Sequence, residues 1–201
     1  IDWSDLDDRK AHFLLRAAIS LKGRPVTLYQ EVHCNKTKEK PATHKAFLKA
    51  LHAMLPSNCR PIIVTDAGYK SPWFRAVRAL GWDIIGRIRK PHLYSLDRGD
   101  TWQCIRYLYT QATCRPKRFD NSQIVRSNPF ACTLVLFKQK SKGRHASNPD
   151  GTRKASKRSK AHAQGAKDPW LLATSLAPHR SLSKQVVAIY RQRMQIEEGF
   201  R

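Results

Sequence analysis

Acidic side chains are scarce in this chain, 15 in 201 residues against 38 lysines and arginines, so each can be weighed by its position. Asp66 closes the run Pro61-Ile62-Ile63-Val64-Thr65, a short, largely β-branched stretch of the kind that forms a strand buried on both faces. Ala67-Gly68 follows as a turn. In open α/β sheets, ligands and reacting groups collect at that carboxyl edge. Asp2 stands at what reads as the end of another strand. Near the other end of the chain, Tyr190, Arg193 and Glu197 are separated by three and four residues, so on a helix they project from one face. A carboxylate at such a strand end, in a very basic protein, is poised either for an ion pair or for a cation. The plainer alternative makes each acid a helix cap or an ion-pair partner, with Arg193 and Glu197 as an i,i+4 pair contributing about 0.3 kcal/mol.

The balance of charge points the same way. A formal net charge of +23 opposes compaction by self-repulsion and calls for a polyanionic partner. Nucleic acid fits best, because neutralising its phosphates releases counterions. The basic residues are spread along the chain and do not form one amphipathic face, which argues against a membrane surface. The five cysteines form no CxxC pair, and no histidines sit at zinc-finger spacing, so reduced thiols in a cytosolic protein are expected. No signal peptide or membrane span is visible. The chain starts at a strand end and stops within a helix, as an excerpt of a longer protein would.

The elements that must position these residues can be read in outline. Residues Ala11 to Leu21 form an apolar run, and Lys22-Gly23-Arg24-Pro25 supplies a turn into a second strand over Arg24 to His33, so a hairpin is expected. Thr43 could cap a helix carrying Phe47, Leu48, Leu51, Met54 and Leu55. Beyond Asp66, Ser71-Pro72 reads as a capped helix start, Trp73 to Leu80 as the helix, Gly81 as its end, and Trp82 to Ile88 as a strand. Strand, helix, strand implies a parallel pair. From Lys90 to Pro169 short β-prone pieces such as Cys104–Tyr109 and Ala131–Phe137 alternate with Pro, Asn and Gly, followed by the basic run Lys138–Lys167. That run reads as a solvated loop that could order on phosphate. Trp170-Leu171-Leu172-Ala173-Thr174 returns to a core strand, and Ser181 or Ser183 would cap the last helix. Ile189 and Ile196 would pack its flank into the sheet.

Five blocks in order carry a family resemblance. Tyr190-Arg191-Gln192-Arg193-Met194-Gln195-Ile196-Glu197 fits a Y-x2-R-x3-E pattern, and with it go Ile1-Asp2-Trp3-Ser4, Lys22–Tyr29, Thr65-Asp66-Ala67-Gly68-Tyr69 and Pro169–Thr174. Together they resemble the DDE transposases of insertion sequences that bear the Y-R-E-K signature. The signature's final Lys would fall beyond Arg201. The resemblance implies a ribonuclease-H-like α/β core over residues 1–89, a mainly β, basic insertion over 90–168, and a last core strand with a Glu-bearing helix over 169–201. It implies that Asp2, Asp66 and Glu197 are the catalytic triad and the ligands of Mg²⁺, with Mn²⁺ as a substitute and two ions expected. It further implies cleavage at transposon ends through a hairpin and joining to target DNA by a homodimer in a bacterial cytoplasm, near the nucleoid. Tyr190 and Arg193 would grip a phosphate beside a flipped base, and Trp170 would stack where that base had been; a core Trp at a strand start is its ordinary role. Asp5, Asp7 and Asp8 are rivals to Asp2, while Glu198 lies about 100° from Glu197 around a helix. Trp3, Trp73, Trp82 and Trp102 are expected to pack rather than to stack on bases. A related nuclease without strand transfer, or a non-catalytic basic binding protein, would be the other functional classes.

Overall fold

A computed structural model of the chain describes residues 1–21, 24–139, 152 and 168–193. Glu197, Ile196 and Glu198 lie outside them, as do the Lys22-Gly23 turn and most of the basic run to Lys167.

The first three strands are β1 (Asp2–Asp5), β2 (His12–Leu21) and β3 (Arg24–Cys34), an antiparallel sheet in the order β1-β2-β3. The expected hairpin is β2 and β3, with an irregularity in register between Ala17 and Ala18. Helix α1 (Pro41–Met54) follows, burying His44, Phe47, Leu48 and Leu51. Its start differs from the sequence expectation. Thr43 donates its hydroxyl to Thr37 O at 2.8 Å and caps nothing; Lys40 is the N-cap residue, and Pro41 begins the helix, where a missing N–H costs no hydrogen bond.

Strand β4 (Ile62–Thr65), helix α2 (Ser71–Ala79) and strand β5 (Asp83–Ile88) form the anticipated parallel unit, with Ile63 opposite Ile84 and Thr65 opposite Gly86. Here too the cap is displaced. Lys70, whose carbonyl accepts from Trp73 and Phe74, is the N-cap of α2, and the Ser71 hydroxyl is buried within the helix. Gly81 takes φ +75° just after the helix, a backbone conformation that a side chain would strain.

The segment after β5 contributes β6 (Leu93–Ser95), β7 (Gln103–Cys104), a short α3 (Ile105–Tyr109), β8 (Lys117–Ile124) and β9 (Phe130–Phe137). The piece Cys104–Tyr109, read as β-prone, is a helical turn apart from Cys104, because Ile105 and Leu108 both turn into the core. Strand β10 (Trp170–Thr174) then pairs antiparallel with β5 on one side and β9 on the other. The result is a seven-stranded mixed sheet, β4-β5-β10-β9-β8-β6-β7. Ile1 nitrogen donates to Val64 O at 2.8 Å, which brings the start of β1 against β4.

Alternation sorts the central strands onto two faces. Leu171, Ala173, Leu134, Leu136, Ile84 and Ile88 meet α1 and α2, while Trp170, Leu172, Val135, Phe137 and Ile85 meet α4 (Leu182–Gln192). Covered on both faces, these strands read as unbroken apolar runs. Ser181 occupies the N-cap position of α4 through its carbonyl, its hydroxyl bonding instead with His179 Nδ1 at 3.2 Å. The mixed sheet flanked by helices is a ribonuclease-H-like α/β fold.

Candidate active site

Asp66 follows the last residue of β4 directly, at the carboxyl end of that strand. Its Oδ1 accepts from Gly68 N at 2.8 Å, closing a small turn that fixes the carboxyl group. A Cβ at position 68 would come within 3.1 Å of the same oxygen, so a glycine there leaves the turn its room.

Asp2 opens β1 and is 8% exposed. Its Oδ1 accepts from Trp3 N at 3.0 Å and its Oδ2 from Arg193 Nη1 at 2.7 Å. Burial pushes the Asp2 carboxyl above its ordinary range; the Arg193 guanidinium opposes that shift, and the Asp66 carboxylate adds to it. The two acids are therefore electrostatic neighbours. Arg193, in turn, lies 5.7 Å from the Tyr190 ring centroid, one turn back on α4. Tyr190 is 1% exposed, and burial raises its phenol, with Arg193 and Arg87 holding it down and Asp66 raising it further. Trp170 stands edge-on to Tyr190 at 4.9 Å and packs on Phe137 at 5.8 Å.

Four of the six residues singled out from the sequence thus form one chain of contacts, Asp2 bonded to Arg193, Arg193 against Tyr190 and Tyr190 against Trp170, and Asp66 acts on Asp2 through its charge. Glu197 lies outside the described residues. Trp170 and Tyr190 sit in the apolar cluster between sheet and α4, so each serves the core as well as the site. Arg193 pairs with Asp2 in the described structure, and the alternative i,i+4 pair with Glu197 lies outside the described residues.

Some neighbours were not anticipated. Tyr69 is fully enclosed, its hydroxyl without a hydrogen-bond partner among the described residues, and burial, Asp2 and Asp66 all raise its phenol. His44 stacks on Tyr69 at 5.3 Å and accepts from Trp3 Nε1 at 3.2 Å, and burial lowers its imidazole to about 4. Arg87 stands buried on β5. Its signal was legible: a lone arginine in Asp83–Ile88, where most other residues are apolar, is a costly choice that needs a reason. Tyr69 closes the Thr65–Tyr69 block of the sequence without a role of its own there, and nothing in the sequence placed His44 in this group; the packing of α1 on α2 does so.

As a donor set, the pair of carboxylates fits a hard divalent cation, which prefers oxygen and would relieve the mutual repulsion of Asp2 and Asp66. Among the described residues no group of three His, Cys, Asp or Glu side chains gathers, and no helix is long and apolar enough to cross a membrane.

These features define a class: a ribonuclease-H-like α/β protein of strongly basic charge, with a carboxylate pair at the sheet edge facing a helix that carries Arg and Tyr. The family model for the transposase DDE domain matches residues 7–201, and the chain belongs to that family. It is a transposase catalytic core, of a family that works on DNA and generally depends on divalent metal ions. The match begins five residues after Asp2. None of the curated proteins matches the sequence.

Proposed function

We propose that this chain cuts and joins DNA at transposon ends as a cut-and-paste transposase of the Y-R-E-K kind, with Asp2, Asp66 and Glu197 as its catalytic and metal-binding triad. The observation that carries the reading is the 2.7 Å contact of Arg193 with Asp2, which brings the Y-x2-R-x3-E helix to the first acid of the set. Glu197 lies four residues beyond Arg193, one helical turn if the helix continues. The segments 1–89, 90–168 and 169–201 serve as first core part, basic insertion, and last strand with Glu-bearing helix.

In this reading Asp2, Asp66 and Glu197 hold two Mg²⁺ ions, which Mn²⁺ can replace; when bound, such ions activate the attacking oxygen and stabilise the leaving one. Arg193 and Tyr190 orient a backbone phosphate through charge-assisted hydrogen bonds. Trp170 takes the place of an extruded base, offsetting some of the lost stacking. Cleavage passes through a hairpin, and the freed 3′ hydroxyl is joined to target DNA in a homodimeric complex at the bacterial nucleoid. Its inventory of 38 basic residues favours that polyanion.

The test uses the full-length transposase with labelled transposon ends and Mg²⁺. Asp66→Ala and Glu197→Ala should each abolish nicking while leaving DNA binding largely intact. Cutting by both variants at the parental rate would end the assignment. Nicking without joining of 3′ ends would place the protein instead with the metal-dependent nucleases of the same fold. An absence of any Mg²⁺ or Mn²⁺ effect on thermal stability would favour a non-catalytic DNA-binding role.

A further inference from the structure

Helix α1 buries four side chains, the apolar Phe47, Leu48 and Leu51 and one imidazole, His44. His44 is 7% exposed, and the site as drawn so far gives it no task. Enclosing a polar ring on an apolar helix face is unfavourable unless its nitrogens find partners.

The ring makes two different contacts. At its edge, Nε2 accepts from Trp3 Nε1 at 3.2 Å. An indole nitrogen only donates, so the imidazole is the acceptor, and a neutral ring that accepts at Nε2 carries its proton on Nδ1. Burial, with His33 nearby, favours that neutral form. Across its face, the ring stacks on Tyr69, with centroids 5.3 Å apart and planes 28° from parallel. Trp73 closes on it edge-on at 5.0 Å, and Tyr69 and Trp73 lie 4.7 Å apart, so the imidazole has little room to turn.

Both partners of His44 sit beside an acid. The backbone N–H of Trp3 donates to Asp2 Oδ1 at 3.0 Å. Tyr69 follows Gly68, whose backbone N–H donates to Asp66 Oδ1 at 2.8 Å. One oxygen of each carboxylate is thus held by a peptide group, and the side chain of that residue or of the next one rests on the same imidazole. Asp2 lies on the three-stranded sheet and Asp66 at the end of a strand of the seven-stranded one, so the two acids share no ladder that would fix their spacing. His44 links the two segments through side chains, from a third element.

We infer that His44 is a positioning residue for the carboxylate pair: through Trp3 and Tyr69 it fixes the relative placement of Asp2 and Asp66 that a shared divalent cation requires. The inference rests on the metal-binding reading of those acids given above. Histidine suits the task because it combines both contacts. A phenylalanine could stack on Tyr69 but not accept from Trp3, and a glutamine could accept but not stack.

The experiment titrates Mn²⁺ alone into this chain, followed by calorimetry, with urea unfolding measured alongside. His44→Phe and His44→Gln should each bind Mn²⁺ about tenfold more weakly than the parent, the size usual when a group that orients a metal ligand is lost. Leu51→Ala, about two turns further along the same buried face, is the control for packing alone. It should lower the urea midpoint and keep the parental Mn²⁺ affinity. In the full-length transposase, the Mn²⁺ concentration giving half-maximal nicking should rise in both His44 variants, while affinity for transposon-end DNA stays parental. Where His44→Phe folds poorly, His44→Gln carries the comparison. His44 variants that bind Mn²⁺ as the parent does, however unstable, would overturn the inference and leave the carboxylate reading standing. Equal weakening in Leu51→Ala would also overturn it, because any loosening of α1 would then suffice. A parent that binds no Mn²⁺ would remove the carboxylate reading itself, and the inference with it.

Discussion

Arg193 Nη1 lies 2.7 Å from Asp2 Oδ2, across 191 positions of sequence, and both side chains are about nine-tenths enclosed. The contact binds α4 to β1 and also occupies an oxygen of the acid proposed to hold a metal ion. Removing one member of an enclosed pair leaves an uncompensated charge, which typically costs about 3–5 kcal/mol. Arg193→Met should therefore lower stability by an amount of that order in urea unfolding, while Arg193→Met combined with Asp2→Asn should lose less than the sum of the single changes. Strict additivity would show that the two groups do not depend on each other.

The same contact sets Arg193 against any cation at Asp2. Arg193→Met should show a larger rise in melting temperature on addition of Mn²⁺ than the parent does, relative to its own metal-free value. An equal or smaller rise would mean that the guanidinium does not compete for that carboxylate.

His44 supplies a pH signature. Its imidazole titrates near 4 in the fold against an ordinary value of 6.5. Between those values the unfolded chain binds the extra proton and the folded chain does not, so stability rises with pH through that window. The contribution is complete above about pH 6.5 and is lost as the pH falls towards 4. His44→Gln, which keeps an acceptor for Trp3 Nε1, should flatten the pH dependence of stability between pH 4 and 6.5. Parallel curves for parent and variant would remove His44 as the cause.

Gly86 tests how tightly the strand beside Asp66 is packed. A Cβ there would stand 2.5 Å from two atoms of the Phe74 ring, on the helix that follows the Asp66 turn. Gly86→Ala should destabilise by about 1–3 kcal/mol through overpacking. Guanidinium unfolding would register this as a lower midpoint at unchanged slope; no change in midpoint would mean that Phe74 can move aside.

The thiols should separate by reactivity. Cys34 is exposed, and hydrogen bonds led by the Lys36 amide lower its pKa, whereas burial pushes the Cys132 thiol up to about 12. Brief alkylation read by mass spectrometry should modify Cys34 early and Cys132 only on unfolding. Early labelling of Cys132 would mean that β9 opens readily.

The chain announces those parts of the fold that are locally determined. The β-branched run before Asp66, the apolar β2, and the glycine after α2 each state their structure within a few residues, and Asp66 could be singled out because a strand end and a turn flank it. The helix starts were misplaced by one to three residues because Thr43 and Ser71 have the chemistry of caps, while Lys40 and Lys70 have the positions. Cys104–Tyr109 suits strand or helix equally in isolation; the burial of Ile105 and Leu108 decides it. At the site, helical spacing revealed Tyr190 and Arg193, but their meeting with Asp2 depends on which strand lies beside which, and nothing local encodes that. Arg87 passed unnoticed as one member of an apolar strand, although its charge was itself the clue.

Strand β10 sits between β5 and β9, yet the ribosome makes it last of the three. Until Trp170–Thr174 emerges, the nascent chain can build only two half-sheets, one ending at β5 and the other at β9, each exposing an unpaired backbone edge. Closure must then recruit a partner far along the polypeptide, the kind of pairing that makes folding slow. Assembly of the centre is thereby deferred until Thr174 has been translated, and a product terminated before Trp170 would be left with adhesive borders.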